Sequence, residues 1–215
     1  DFRKRGISGK HFTQPYWNHE HLYYDYAARI CGLSAETTLD TEVLVLYPTT
    51  SWWAGIHAAA DTAPALRELE LALDHTIDAL VRKHWDFEFL YEQILEAAEV
   101  RGGGLLTGAG TFRCIILAGI SHLRPQHAAK LEEFAASGGT VLLVGSEVLV
   151  VSAEDERPIN LPSALRIDDW KTEAFHDALD MTLAKSIARP WNISAGGLDG
   201  FVSAGRFDDE GRKLL

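Results

Sequence analysis

Cysteine is nearly absent from this sequence. Only Cys31 and Cys114 occur in 215 residues, far apart and each in an apolar setting, so a disulfide framework and a four-cysteine metal centre are both excluded by count. Two such thiols leave the redox compartment open, with a cytoplasmic setting slightly favoured. Positive charge is also scarce. Twenty Lys and Arg stand against 31 Asp and Glu, a net charge of −11. A chain of that sign repels polyanions, and no run of Lys and Arg offsets the repulsion locally, which argues against nucleic acid as a partner. No stretch of eighteen apolar residues exists, and the charged start Asp1-Phe2-Arg3-Lys4-Arg5 has no apolar signal segment behind it. The reading is a soluble chain with no membrane partner. Internal repeats and low-complexity tracts are missing too. The first residue is not Met, and Lys213-Leu214-Leu215 reads as a strand just starting, so a segment of a longer protein is expected.

What is present is a patterned core, since 47% of the residues are hydrophobic. Residues 1 to 19 carry aromatic and polar groups without periodicity and read as a loop. Leu22, Tyr23, Tyr26, Ala27 and Ile30 recur at helical spacing, which predicts one amphipathic helix over Glu20 to Leu33 with Gly32 near its stop. Val43 to Tyr47 is a continuous apolar run ending at Pro48, the pattern of a strand buried on both faces of a parallel sheet. A loop holding Trp52 and Trp53 follows, then a long helix marked by Leu66, Leu69, Leu73, Ile77 and Leu80, with Asp61 or Thr62 as cap and Pro64 in its first turn. Further on the pattern predicts a strand over Trp85 to Leu90, a short helix over Tyr91 to Ala98, and turns from Gly102 to Gly110 with an edge segment at Leu105-Leu106. A strand at Cys114 to Leu117, a helix burying Ala128, Leu131 and Phe134, and a strand at Val141 to Val144 complete the series. A helix over Asp169 to Ile187 and a weaker strand at Phe201-Val202 are expected beyond it. Strands alternating with helices in this way predict an α/β fold with a doubly wound, flavodoxin-like parallel sheet. The domain boundaries expected are 1–40 for the loop and helix, 41–190 for the α/β domain and 191–215 for a following β segment.

Ligands of such a sheet belong at the carboxyl ends of its strands, and the loops after Tyr47, Leu117 and Val144 hold little catalytic chemistry. Ala118-Gly119-Ile120-Ser121 has one Gly and a displaced Ser, so it is not a nucleophile elbow. Cys114 lies within its strand and reads as a small buried hydrophobe. Ser121 and His122 are neighbours whose side chains are expected to diverge, which favours a role at a helix start. The glycines of Gly102-Gly103-Gly104 and Gly108-Ala109-Gly110 lack the Lys-Ser or Lys-Thr of a phosphate loop. Gly145-Ser146 has no strong helix behind it to bind an anion. The acid-rich stretch Glu154 to Arg157 reads as a solvated loop, and Trp52-Trp53 as a cover on the sheet end or a contact to another domain.

The densest chemistry runs from His11 to His21. Aromatic faces can stack on a pyranose while His, Gln, Asn and Glu bond its hydroxyls, so His11, Trp17, His19 and Glu20 are the candidate substrate-binding residues. A helix start with Asn18 as cap and Glu20 favouring the dipole explains the same residues, and both readings stand. His19 and His21 diverge on a helix and lack a third ligand, so no metal site and no cofactor is expected. Glu20 could act as acid or base, although glycoside hydrolysis needs a second carboxylate.

The helix ending in Tyr26-Ala27-Ala28-Arg29-Ile30, followed by Glu42-Val43-Leu44-Val45-Leu46-Tyr47-Pro48-Thr49-Thr50-Ser51-Trp52-Trp53-Ala54, resembles glycoside hydrolase family 106, the α-L-rhamnosidases and their relatives. Asp86-Phe87, Gly108, Cys114 to Leu117, Leu123-Arg124 and Ala136-Ser137-Gly138-Gly139-Thr140-Val141 continue the likeness. The resemblance implies that residues 1 to 40 are the tail of a catalytic barrel. It also implies that the α/β domain is an accessory layer of the class I glutamine amidotransferase-like or β-galactosidase trimerisation-like fold. The full-length protein would then remove a terminal deoxysugar such as rhamnose with two carboxylates and water, with inversion. The bulk of that barrel is absent here, so no catalytic residue carries over, and the isolated chain is expected to be inactive. The partners implied are a carbohydrate substrate and other domains of the same longer chain, with a homo-oligomer possible. A stand-alone, non-catalytic sugar-binding or assembly module presenting Trp52 and Trp53 is the alternative, and an amidotransferase-like hydrolase using Cys114 ranks last.

Overall fold

A computed structural model describes residues 15–35, 37–56, 64–145, 147–153, 155–189, 205–207 and 212–214. The chain divides into two compact units, one of Asp1–Thr38 with Gly205–Leu214 and one of Leu39–Ala204 with Leu215. In the first, a 3-10 turn at Trp17–His19 leads into helix α1 (Glu20–Ala35). Helix α1 runs past Gly32, and its apolar residues Leu22, Tyr23, Tyr26 and Ile30 are all exposed. A short strand β1 (Thr38–Leu39) ends this stretch.

The second unit starts with β2 (Val43–Leu46) and α2 (Thr49–Gly55). Helix α2 holds Trp52 and Trp53, so the expected loop is a helix. The Glu92 carboxylate accounts for it, because it accepts from the Thr50 amide and hydroxyl in the first turn, a cap that Pro48 does not supply. Next come α3 (Pro64–Arg82), β3 (Glu88–Leu90) and α4 (Glu92–Ala97). The cap expected at Asp61 or Thr62 lies outside the described residues. The stretch read as turns with an edge segment at Leu105-Leu106 is a three-stranded antiparallel meander, β4 (Glu99–Arg101), β5 (Gly104–Thr107), which holds that segment, and β6 (Gly110–Phe112). Its first hairpin turns on Gly102 and Gly103, with φ of +57° and +75°, the conformation that two-residue hairpin loops prefer and that glycine adopts without strain.

Strand β7 (Cys114–Ala118), β8 (His122–Leu123), α5 (Pro125–Ala136) and β9 (Thr140–Val144) follow. The chain then forms β10 (Leu149–Val151) and β11 (Glu156–Pro158), so part of the acid-rich stretch read as loop is an exposed strand that pairs antiparallel with β10. Strand β12 (Leu165–Ile167) was not legible as a strand, because Arg166 breaks an apolar run of only three residues. Helix α6 (Phe175–Ser186) starts six residues later than the sequence pattern suggests, Asp169 to Ala174 being turns. Strands β13 (Gly205–Phe207) and β14 (Arg212–Leu214) pair antiparallel and belong to the first unit. The strand expected at Phe201-Val202 lies outside the described residues.

The central sheet is five-stranded, in the order β12-β9-β7-β2-β3, and every pairing is parallel. Counted along the chain this is 2-1-3-4-5 from the β3 edge, the flavodoxin order, and it reverses between β2 and β7. Alternate residues of the inner strands enter opposite cores. Val43, Val45, Cys114, Ile116, Leu142 and Val144 face α3 and α6 through Leu80, Phe175 and Leu179. Leu44, Leu46, Ile115, Leu117, Val141 and Leu143 face α4, α5 and the meander through Leu95, Leu131, Phe134 and Phe112. Each fully buried Leu, Ile or Val side chain contributes on the order of 1.5–3 kcal/mol. Among the described residues, no helix is long and apolar enough to cross a membrane.

Gly119, at the carboxyl end of β7, has φ +63°, and a Cβ there would stand 2.9 Å from the Ala72 Cβ and 3.0 Å from the Leu69 Cα. Gly119→Ala is expected to destabilise by about 1–3 kcal/mol in urea unfolding. Gly108→Ala, where nothing lies within 4 Å of the added carbon, should stay within about 0.5 kcal/mol of the parent.

Candidate functional site

The reversal of strand order puts the first place to look between β2 and β7, where a doubly wound sheet opens a crevice. Helix α2 fills it. The Ser51 hydroxyl, 3% exposed, donates to the His122 carbonyl at 3.0 Å and accepts from the Ser121 and His122 amides at 3.1 and 3.0 Å. Two successive amides converging on one oxygen form the nest that elsewhere binds an anion or an oxyanion. Here the chain's own hydroxyl occupies it.

Beside that nest the Ser121 Oγ lies 2.9 Å from the His122 Nδ1. The expectation that these neighbours diverge is therefore corrected. Ser121 sits in the turn after Gly119 and before β8, where the side-to-side alternation of a strand does not apply. The helix-start role is corrected as well, since α5 begins at Pro125 behind Arg124. Among the described residues no group orients the other ring nitrogen of His122, and the nearest amide pair belongs to Ser51. The pair thus has a nucleophile and a base within reach of each other, without the third member or the charge-stabilising donors that acyl transfer requires.

A second polar cluster ties the same helix down from the other side. Glu92, 2% exposed at the start of α4, accepts from the Thr50 amide at 2.9 Å and the Thr50 hydroxyl at 2.5 Å. Pro48, at the N-cap of α2, makes no side-chain capping bond, so the Glu92 carboxylate caps that helix from another element. His127 of α5, also buried, places Nδ1 3.3 Å from Glu92 and Nε2 3.5 Å from Glu96. Burial pushes the Glu92 carboxyl upward, but the bonds from His127 and Thr50 prevail and hold it below its ordinary value of 4.5.

The third feature is a cleft of about 370 Å³ at the carboxyl ends of β9 and β12. Gly145, Asp168, Asp169, Trp170 and Lys171 line it from the strand ends, and Glu68 lines it from α3. Lys171 pairs with Glu68 at 2.6 Å and stands 5.0 Å over the Trp170 ring. Arg166 pairs with Asp168 at 3.5 Å. His75 meets the Trp170 ring edge-on at 5.4 Å and holds its Nδ1 3.4 Å from the Trp170 carbonyl. Ser146, next to Gly145, is outside the described residues.

The candidate sugar-binding residues fall in the first unit. His11 lies outside the described residues. Trp17, 47% exposed, and His19, also exposed, occupy the 3-10 turn. Glu20 opens α1 with 8% exposure and accepts a 3.4 Å bond from the Tyr24 hydroxyl. Asn18 lies inside the 3-10 turn rather than at a cap position. Cys114 is the first residue of β7, at the opposite end of the strand from the crevice, and full burial pushes its thiol up to about 12. Among the described residues no three His, Cys, Asp or Glu side chains are disposed to hold a metal ion. Sequence reasoning missed Ser51, Glu92 and His127, whose partners stand 42 or more residues away from Ser51 and Thr50 and 35 residues from each other. It also missed the cleft, whose walls come from three separate segments.

Neither the protein-family models nor the curated proteins contain a match to this chain.

A carboxylate whose folded pKa is depressed stabilises above its unfolded value and loses that contribution as pH falls through the folded value. Glu92→Gln is therefore expected to unfold more easily at neutral pH, by about 1–3 kcal/mol, and to lose less stability than the parent between pH 5 and pH 3. Urea melts at both pH values check this. Ser51→Ala leaves two amides and a carbonyl without their partner and should cost about 1–3 kcal/mol in the same assay.

Proposed function

We propose that the α/β unit is a non-catalytic accessory domain of an α-L-rhamnosidase-like glycoside hydrolase. The observation that carries the non-catalytic part is the Ser51 hydroxyl seated in the Ser121-His122 amide nest. Position and chemistry at the crevice resemble a hydrolase site, but its anion-stabilising donors are consumed internally and Glu92 holds the plugging helix in place. Cys114 supports the same reading, because a thiol with a pKa near 12 at the amino end of a strand supplies no thiolate for an amidotransferase step. The glycosidase part rests on the sequence likeness running from Tyr26 to Val141, to which the flavodoxin strand order adds a compatible fold. Fold alone does not fix function. A stand-alone assembly module is the second reading, favoured by Trp53, which α2 leaves 69% exposed.

Two measurements test the proposal. Incubated with p-nitrophenyl α-L-rhamnoside, an aryl acetate and glutamine, the 215-residue chain is expected to give no turnover above buffer. Turnover that disappears in Ser121→Ala or Cys114→Ala would overturn the non-catalytic reading. The intact mass of the native protein should lie well above 23.8 kDa. A native mass equal to that of the chain would overturn the glycosidase-segment reading in favour of the stand-alone module.

A further inference from the structure

We infer that the cleft at the carboxyl ends of β9 and β12 binds a neutral, hydroxyl-rich ligand, a sugar or short polyol. Three features combine there. First, the cleft has room for a monosaccharide, at about 370 Å³. Second, its rim carries the carboxylates of Glu68, Asp168 and Asp169, which only accept hydrogen bonds. Third, Trp170 is 6% exposed, and its indole N–H donates to no protein group among the described residues. That N–H edge lies against the bare side of Gly145, where an added Cβ would come within 2.8 Å of the Trp170 Nε1. Gly145 and Trp170 both line the cleft, so the unpartnered donor stands at its wall.

The mixture of groups selects the ligand class. An anion meets three carboxylates against Lys171, whose ammonium is engaged by Glu68 at 2.6 Å. An amine or metal cation satisfies the carboxylates but offers no acceptor to the indole N–H, and no three donors here are disposed around one metal position. A hydroxyl is both donor and acceptor, and adjacent hydroxyls on one ring can serve Asp169 and Trp170 together. Lys171 over one face of the indole and His75 packed perpendicular to it hold the ring in place, so that the N–H is oriented before the ligand arrives. The choice of sugar rests on the glycosidase reading above, whereas the choice of a neutral hydroxyl ligand rests on the cleft alone.

The test is ¹H–¹⁵N spectroscopy of the full chain, whose six tryptophans give six indole signals, with Trp170→Phe assigning the one that matters. L-Rhamnose and D-galactose are titrated as neutral probes, with putrescine, calcium and acetate beside them. A saturable shift of the Trp170 indole signal with a neutral sugar, weakened about tenfold or more in Asp169→Asn, is the expected result. Asp169 is exposed and is not part of the core, so that variant folds and keeps the test interpretable should Trp170→Phe fail to. A shift with L-rhamnose supports both the cleft and the rhamnosidase reading. A shift with D-galactose alone supports the cleft and counts against rhamnose. No shift with either sugar, or a shift with putrescine, calcium or acetate instead, overturns the cleft inference and leaves the mass and turnover tests of the proposed function untouched.

Discussion

A parallel ladder has to be covered on both faces, and this chain is arranged around that requirement. The backbones of β2, β7 and β9 satisfy one another in register, Val43 against Cys114 and Cys114 against Thr140. Their side chains then have no solvent side to turn to. The chain answers with two apolar layers, α3 and α6 on one face and α4, α5 and the meander on the other. Polar chemistry is thereby pushed to the loops at the strand ends.

Those loops are treated in two opposite ways. At the crevice the Ser51 hydroxyl and the Glu92 carboxylate are spent on the protein itself, while among the described residues the buried Trp52 indole N–H has no hydrogen-bond partner and the buried His127 Nδ1 has only its 3.3 Å approach to Glu92. Ser51 joins α2 to the loop before β8, and Glu92 joins the same helix to α4 and α5. At the far edge, around Gly145 and Trp170, the indole N–H and the Asp169 carboxylate remain uncommitted beside an open volume, Glu68 and Asp168 being paired with Lys171 and Arg166. A fold of this class usually works at its crevice, and here the open volume lies instead at the ends of β9 and β12.

The long apolar runs made the sheet legible in the sequence. Val43 to Leu46, Cys114 to Leu117 and Val141 to Val144 could hardly be anything but inner strands, and the intervening helices followed from Leu and Phe spacing. Short elements were legible only in part: β3, α4 and the Leu105-Leu106 segment of β5 were expected, whereas β4, β6 and β12 were not. Leu165-Arg166-Ile167 becomes a strand only because β9 offers it a ladder, and the Gly-rich meander becomes one because Leu105 and Phe112 find a core under them. The polar sites were the least readable. Thr50 meets Glu92 over 42 residues and Ser51 meets His122 over 71, and no local pattern encodes such distances. Ser121 beside His122 misled in the other direction, because the expectation that adjacent side chains diverge fails where the chain leaves the loop after Gly119 and enters β8.

The two strands that bound the central sheet have a further effect. Strands β3 and β12 are three residues each, shorter than the inner β7 and β9 at five, and each places one charged residue, Glu88 or Arg166, on its row. Unpaired edges of a sheet are templates for a foreign chain, and brevity and charge are the usual ways of spoiling them. The strands with the most amyloid-like composition, rich in Val, Leu and Ile, are thus the ones with a neighbour on both sides. The order of the strands therefore places the apolar segments best suited to assembling with other copies behind poor templates at either margin.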